Sequence, residues 1–593
     1  MFHVILSEII LCYGNSIYNY IGMKDRVKSN IGLLVCVNSL FVYFLLQLPL
    51  ILSIECANEN QGFAFTFGQS LLMWHKLPPG RGLLFVLPYA VILKIFGYNT
   101  YSILALHILE TIVLILIGVL IYLIVNKVLH NNLWSGLAVL LWVVMIISPI
   151  GFSELKVEIR SHYNLQEECL SVLFSLFSVL FLLKAGFFDQ KKIHNTSEKM
   201  FSILAGIFAV SSIMSKANGA ILLIAAILWF IQIFIFQREI FDFLKSRIFY
   251  YFIGVISSIF LLNLILYTLN GNLITLWRDY FFIGSYTRDY LSSPKEFSLS
   301  IINFMTRHTK SISNFVLFSS ATLLFIWGII RGCLTTKNKT LSMFLSFLGI
   351  WGVGNACVII APGQYQPYYY HLMWPLLAIV FSVGLSKLFN CLNTAKRNKL
   401  AITLSIIFSV FFIHRVITSI PAHIEIIKKL IPLNIFNQSQ SFQDPVLPYD
   451  IQSSQRPGYF QITDSINNLL PNKRNTLYIL NLYSAGQSAL TPLTYIYAKR
   501  YPPTSVDCGL LQVPGILQIK TDILKQELSK NLPDVLIVAE KNYIWTWQAR
   551  ILNPFMIWFS DFVKNNYKFY TTLNYVHLND NNRQEHFFVY KKN

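Results

Sequence analysis

Three stretches of this 593-residue chain hold the side chains best suited to chemistry. The first is residues 54–82, IECANENQGFAFTFGQSLLMWHKLPPGRG. It carries the carboxylates Glu55 and Glu59, and then His75, Lys76 and Arg81 around the turn Pro78-Pro79-Gly80. A carboxylate there can take a proton from an attacking hydroxyl, and the cations can hold a departing phosphate. The same residues also suit an amphipathic helix lying at a membrane surface. The second stretch, 153–169, holds Glu154, Glu158, Arg160, His162, Glu167 and Glu168. Its carboxylates can hold a divalent cation or supply a second acid–base group. It has no paired-histidine ligand spacing, and a solvated charged loop accounts for most of it. Glu167 and Glu168 stand apart because they open an apolar run. The third stretch, 363–375, gathers Tyr365, Tyr368, Tyr369, Tyr370, His371 and Trp374. Aromatic belts at membrane boundaries produce such clusters without any chemistry, but His371 lies where a span begins. Two further sets are noted: His107 and Glu110, one helical turn apart on one face, and Lys216 in a tight turn between two apolar runs.

What must position these groups is a bundle of membrane spans. The chain is 54% hydrophobic and 13% charged, with a mean hydropathy of +0.53. Soluble domains carry about 25% charged residues, so this composition specifies a multi-spanning membrane protein. The net charge of +19 then bears on which side of the membrane the lysines occupy, and no nucleic-acid partner is expected. The eight cysteines show no zinc or CxxC spacing and sit mostly in apolar runs.

Apolar runs predict about eleven spans: 31–54, 101–126, 134–152, 167–186, 200–215, 217–236, 248–270, 311–333, 341–360, 371–389 and 400–420. No cleavable leader is apparent, and the first run follows Lys24, Arg26 and Lys28 as a signal anchor. Alternate threading from a cytoplasmic N-terminus places eighteen Lys and Arg between residues 24 and 399 in inner connections and nine in outer ones. That split obeys the positive-inside rule. Residues 83–97 are apolar but short, and they contain Pro88 and Lys94. They read as a half-inserted or surface helix, since counting them as a twelfth span would turn the basic loops outward.

Past residue 421 the pattern changes. TLYILNL (476–482) and DVLIVAE (534–540) read as buried strands, 515–530 and 548–565 as helices, and YKFYTTL and HFFVYKK as closing strands. The expectation is a transmembrane domain over 1–420, with outer loops at 55–100, 153–166 and 271–310. A small extracytoplasmic α/β domain over 421–593 follows it, behind the Pro- and Ser-containing linker 431–457.

Several motifs resemble a known family. The run Asn60-Gln61-Gly62-Phe63-Ala64-Phe65-Thr66-Phe67-Gly68-Gln69-Ser70-Leu71-Leu72, followed by His75-Lys76-Leu77-Pro78-Pro79-Gly80 and later Ile95-Phe96-Gly97, resembles bacterial proteins similar to glycosyltransferase family 39. Asn164-Leu165-Gln166-Glu167 and Tyr370-His371-Leu372-Met373-Trp374-Pro375 resemble further elements of it. The motif likeness covers about 50 residues; the architectural likeness covers the whole chain. It implies a type-C glycosyltransferase fold that takes a sugar from a polyprenyl phosphate, with inversion, at the outer membrane face. In register, the family's acidic position falls on Asn60, whose amide does not titrate. Leu77 interrupts the Lys-Pro-Pro element, and the spacer before it is short.

The expected assignments follow from that resemblance. Glu59 is the base, Glu55 the close alternate and Glu167 a carboxylate that either supports the base from behind or lies on the acceptor side. Lys76, Arg81 and His75 hold the donor phosphate, and Tyr370, His371 and Arg160 bind substrate. The implied partners are a polyprenyl-phosphate-linked sugar, a cell-envelope acceptor and membrane lipid. The implied location is the plasma or inner membrane of a bacterium. No cofactor is called for by motif, and a divalent metal is the one ion the acidic residues could take. A catalytically silent scaffold, kept in view by Asn60, and a transporter are the alternative functions. A transporter should show matched, broken helices in two halves, and none is legible.

Overall fold

A computed structural model describes residues 25–52, 65, 67–72, 82–97, 100–147, 167–188, 196–270, 277, 280, scattered positions from 322 to 330, 339–360, 367–391, 466–470, 476–480, 504, 517–540, 546–576 and 584–593. The chain divides into two compact units. One comprises Met1–Leu48, Thr111–Leu261 and Tyr290–Glu425, the other Pro49–Glu110, Leu262–Asp289 and Ile426–Asn593.

The helices in order are α1 (Asp25–Ile51), α2 (Leu83–Phe96), α3 (Thr100–Leu129), α4 (Asn132–Ile147), α5 (Glu167–Lys184), α6 (Thr196–Ser215), α7 (Ala220–Phe236), α8 (Arg238–Asn270), α9 (Lys339–Ile360) and α10 (Trp374–Cys391). Short 3₁₀ turns, Ala217–Gly219 and Pro367–Leu372, lead into α7 and α10. Among the described residues six segments are long and apolar enough to cross a membrane: Ile31–Leu48, Tyr101–Leu129, Thr196–Ser215, Ala217–Phe236, Leu244–Leu269 and Thr340–Ile360. Each matches an expected span. The expected span 134–152 is a helix of only 16 residues, and Pro149 follows it closely. The span 371–389 likewise falls on a shorter apolar helix, and 400–420 lies outside the described residues. Residues 83–97 form a 14-residue helix. At about 1.5 Å per residue it reaches roughly 21 Å, short of a hydrocarbon core of about 30 Å.

In lipid, helices associate through close packing and internal hydrogen bonds, because the surrounding tails are as apolar as leucine. The first unit shows both. Gly206 on α6 and Gly254 on α8 let two backbones meet: a Cβ on either would collide with the partner helix, at Tyr251 O and Ile203 O respectively. On α5 every described side chain is buried except Phe174, Phe177 and Phe181, which are half-buried, and Lys184, which is exposed. Phe208 of α6 stacks on all three phenylalanines, at centroid distances of 6.1, 5.0 and 5.4 Å.

Cross-helix contacts in this unit sort the helix ends into two sets. At one end Ser382 Oγ donates to Trp134 O (2.6 Å), and Ser346 Oγ donates to Gln232 Oε1 (2.7 Å). Arg247 joins the end of α5 to the start of α6 there: Nη1 donates to Gly186 O (2.6 Å), and Nη2 lies 3.3 Å from Glu198 Oε2. Gly186 has φ +72°, a region that glycine enters without a Cβ clash. At the other end Lys216 pairs with Glu168, and Asn355 Nδ2 donates to Leu372 O (3.2 Å). Helices α5 through α8 must therefore alternate in direction, and so must α9 and α10.

In the second unit, residues 67–72 are helical and pack against α2. The C-terminal segment forms a four-stranded sheet in the order β1-β2-β4-β3. Its strands are β1 (Leu477–Leu480), β2 (Val535–Ala539), β3 (Tyr567–Val576) and β4 (Gln584–Lys592), with helices α11 (Leu517–Lys530) and α12 (Thr546–Asn566) between them. β1 and β2 pair parallel across α11, whereas β4 pairs antiparallel with both β2 and β3. Parallel strands need such a crossover, while β3 and β4 form a hairpin. Asp534 locks the parallel pair, accepting from the backbone N–H of Thr476 (2.7 Å) and from its hydroxyl (3.1 Å).

Candidate functional site

The first unit brings together parts of two of the three chemical stretches. Glu167 and Glu168 form the first turn of α5, and Lys216 stands just before the 3₁₀ turn that opens α7. Glu168 is buried, with 1% side-chain exposure, and Lys216 retains 19%. Burying a lone carboxylate costs several kcal/mol, so the ammonium is what allows Glu168 to sit there. Beneath the pair the helices are joined by hydroxyls: Ser212 Oγ donates to Ser171 O (2.8 Å) and lies 2.8 Å from Ser175 Oγ. Gly219 leaves no room for a Cβ against Ser212, so the turn carrying Lys216 is pinned onto α6.

The 3₁₀ turn Pro367–Leu372 packs on α5 and on the start of α10. It carries Tyr370 and His371, both buried. Tyr370 stacks on Trp374 at 5.4 Å and 20°, which fixes the ring against α10. Thus Glu167, Tyr370 and His371, expected as substrate-side groups, share one end of the bundle with the Glu168–Lys216 pair. What the sequence did not foretell is that pairing. The signal available for it was a lysine as the single residue between two spans and a glutamate opening an apolar helix.

In the second unit the described residues of the motif segment are almost all packed inside the protein. Phe65, Phe67, Gln69, Ser70 and Leu71 are all buried. Phe65 meets Tyr89 of α2 edge-on at 5.7 Å, and Gly68 lies so close that a Cβ would fall 2.6 Å from the Tyr89 Cβ. The Phe-Gly-Gln part of the motif is thus a packing element whose glycine lets α2 approach. Glu55, Glu59, His75, Lys76, Arg81 and Arg160 lie outside the described residues. On α3, His107 and Glu110 are both buried, at 1% and 2% exposure. Among the described residues no three His, Cys, Asp or Glu side chains gather as a metal site.

No family profile matches the chain, and no curated protein matches it. Solved structures are similar to it in shape. One is the oligosaccharyltransferase AglB of Archaeoglobus fulgidus in complex with an inhibitory peptide and a dolichol-phosphate: 12% identity, TM-score 0.45, covering 93% of this chain and 74% of that one. Another, of the same organism, is an oligosaccharyltransferase complex with Zn and sulfate: 13% identity, TM-score 0.46, covering 85% and 67%. A third is ArnT from Cupriavidus metallidurans bound to undecaprenyl phosphate: 10% identity, TM-score 0.47, covering 93% and 97%. The likeness spans most of the chain and rests on shape; no role for a residue here follows from it.

Proposed function

We propose that this protein is an integral-membrane glycosyltransferase that moves a sugar from a polyprenyl-phosphate donor to a cell-envelope acceptor (lipid, glycan or protein) at the outer membrane face. The observation that carries the reading is the uneven distribution of Lys and Arg between the two ends of the bundle among the described residues. Lys184, Lys199, Lys245 and Arg247 lie at the end with the Arg247 clamp. Glu167, Glu168, Tyr370 and His371 lie at the other, where Lys216 is held by Glu168. The positive-inside rule assigns the first end to the cytoplasm, which leaves the acid- and aromatic-bearing end outside.

In this mechanism an acceptor hydroxyl attacks the anomeric carbon as the bond to the phosphate oxygen breaks. Glu59, with Glu55 as alternate, takes the hydroxyl proton, and Lys76, Arg81 and His75 hold the departing phosphate. Glu167 supports the base or lies on the acceptor side, and Tyr370, His371 and Arg160 bind substrate. Nucleotide sugars stay in the cytoplasm, so an outward-facing enzyme needs a donor carried through the bilayer by lipid.

The test is sugar transfer by purified protein from a polyprenyl-linked sugar pool, with Glu59→Gln and Glu55→Gln. Glutamine keeps the shape and removes the titrating group, so loss of the base should cost about 100-fold or more. Full activity in both variants and in the double removes these carboxylates from catalysis. Absence of any transfer by the wild type favours a silent scaffold, the reading that Asn60 supports.

A further inference from the structure

We infer that the rim of the C-terminal sheet, at the start of β3 and the end of β4, docks onto the anionic headgroup layer of a bilayer. The inference does not depend on the transferase reading. It begins from an irregularity in β3. Strand residues normally alternate between faces, but a bulge between Phe569 and Thr571 breaks the register with β4. Three consecutive residues, Lys568, Phe569 and Tyr570, are exposed as a result. Phe569 is 58% exposed and Tyr570 51%, on an edge strand that pairs only with β4, whereas β1 and β2 at the far side of the sheet are buried almost throughout.

The chemistry of this rim is of one kind. Residues 564–570 and 588–592 contain four lysines (Lys564, Lys568, Lys591 and Lys592) and no carboxylate. Lys568 and Lys591 face each other across the ladder, and like charges directly opposite are unfavourable unless something anionic lies between them. The Lys591 ammonium lies over the Tyr570 ring, 3.6 Å from its centroid, a cation–π contact that ties the charge to the exposed aromatic. Phe569 meets Phe588 at 67° and Tyr590 at 76°. The three rings meet edge to face and so offer no flat platform of the kind a sugar ring stacks on. Exposed aromatic rings beside lysines suit the boundary where tails meet phosphates. The sheet is also tethered to membrane spans by its own chain, which keeps a bilayer at high effective concentration.

The test is hydrogen–deuterium exchange on the full-length protein in nanodiscs of phosphatidylcholine alone and of phosphatidylcholine with phosphatidylglycerol. Peptides covering 564–572 and 587–592 should exchange more slowly, on the order of 10-fold, only in the anionic discs, since at least two lysines engage. Raising the salt should abolish the difference, and so should Lys568→Glu with Lys592→Glu. Equal exchange in the two lipids overturns the inference, whether both are protected, which points to a protein or glycan occupant, or neither is. The lipid comparison uses the wild type and so survives any folding defect in the variant.

Discussion

Lys216 meets Glu168 across 48 residues of sequence, closing the first turn of α5 against the turn between α6 and α7. Because Glu168 is buried, the two charges depend on each other unequally: the carboxylate needs the ammonium, which keeps some contact with solvent. Removing one partner of such a pair strands the other. Glu168→Gln or Lys216→Met alone should lower stability by about 3 kcal/mol, read as a drop in thermal midpoint in detergent. The double variant should recover most of that loss. Additive losses would mean the two side chains do not act as a pair.

At the opposite end, Gly186→Ala places a Cβ at φ +72° and 3.2 Å from Arg247 Nη2. The left-handed backbone alone should cost about 1–2 kcal/mol. Arg247→Lys should also destabilise, because one ammonium cannot serve Gly186 O and Glu198 together. A midpoint unchanged in either variant would remove the clamp from the set of contacts that hold α5 to α8.

Donor phosphate makes a separate demand. Lys76→Ala should slow turnover roughly 100- to 1000-fold, the usual cost of losing one transition-state charge contact, with little change in thermal midpoint. Wild-type turnover in that variant would take Lys76 out of the site.

Sidedness can be read by labelling in intact cells, in a background without native cysteines. Lys564→Cys should react with an impermeant maleimide from outside, and Lys199→Cys only after permeabilisation. The reverse pattern would move both the sheet and the candidate site to the cytoplasm.

Tyr567 gives a pH prediction for the sheet. Its hydroxyl donates to Pro533 O at 2.8 Å, and burial, with a smaller contribution from the Asp534 charge, raises its pKa above the ordinary value of 10.0. The folded state therefore holds this proton more tightly than the unfolded chain. The stability it lends is complete below pH 10 and is lost as pH rises beyond it. Tyr567→Phe should cost about 0.5–1.5 kcal/mol at neutral pH and flatten the alkaline part of the curve. A wild-type profile flat above pH 10 would contradict this.

The sheet was legible because its strands are short apolar runs between polar ones. TLYILNL and DVLIVAE each contain an observed strand, YKFYTTL opens one and HFFVYKK closes one. Six spans were legible by length and composition alone. Burial of individual charges was not. Arg247 reads as one of several basic residues before a span, yet it is fully buried, because its partners are a backbone carbonyl and a glutamate from two other helices. Pairings of that kind depend on which helix ends meet, and no local pattern encodes it. Glu168 was singled out for opening an apolar span, but Lys216 as its partner follows only from the alternation of α5, α6 and α7.

The near-complete enclosure of α5 bears on how the chain is made. This helix carries Glu167, Glu168 and Lys184 within 18 residues, a poor candidate to leave the insertion machinery unaided, since each charge opposes transfer into hydrocarbon. Its partners come next in the chain: α6 supplies Phe208 and Ser212, and the following turn supplies Lys216. Synthesis must therefore reach about residue 216 before Glu168 has its counter-charge, and α5 and α6 are expected to enter the bilayer as one hairpin. Variants of Lys216 that fold poorly should then be lost during biogenesis, before any mature protein exists to unfold.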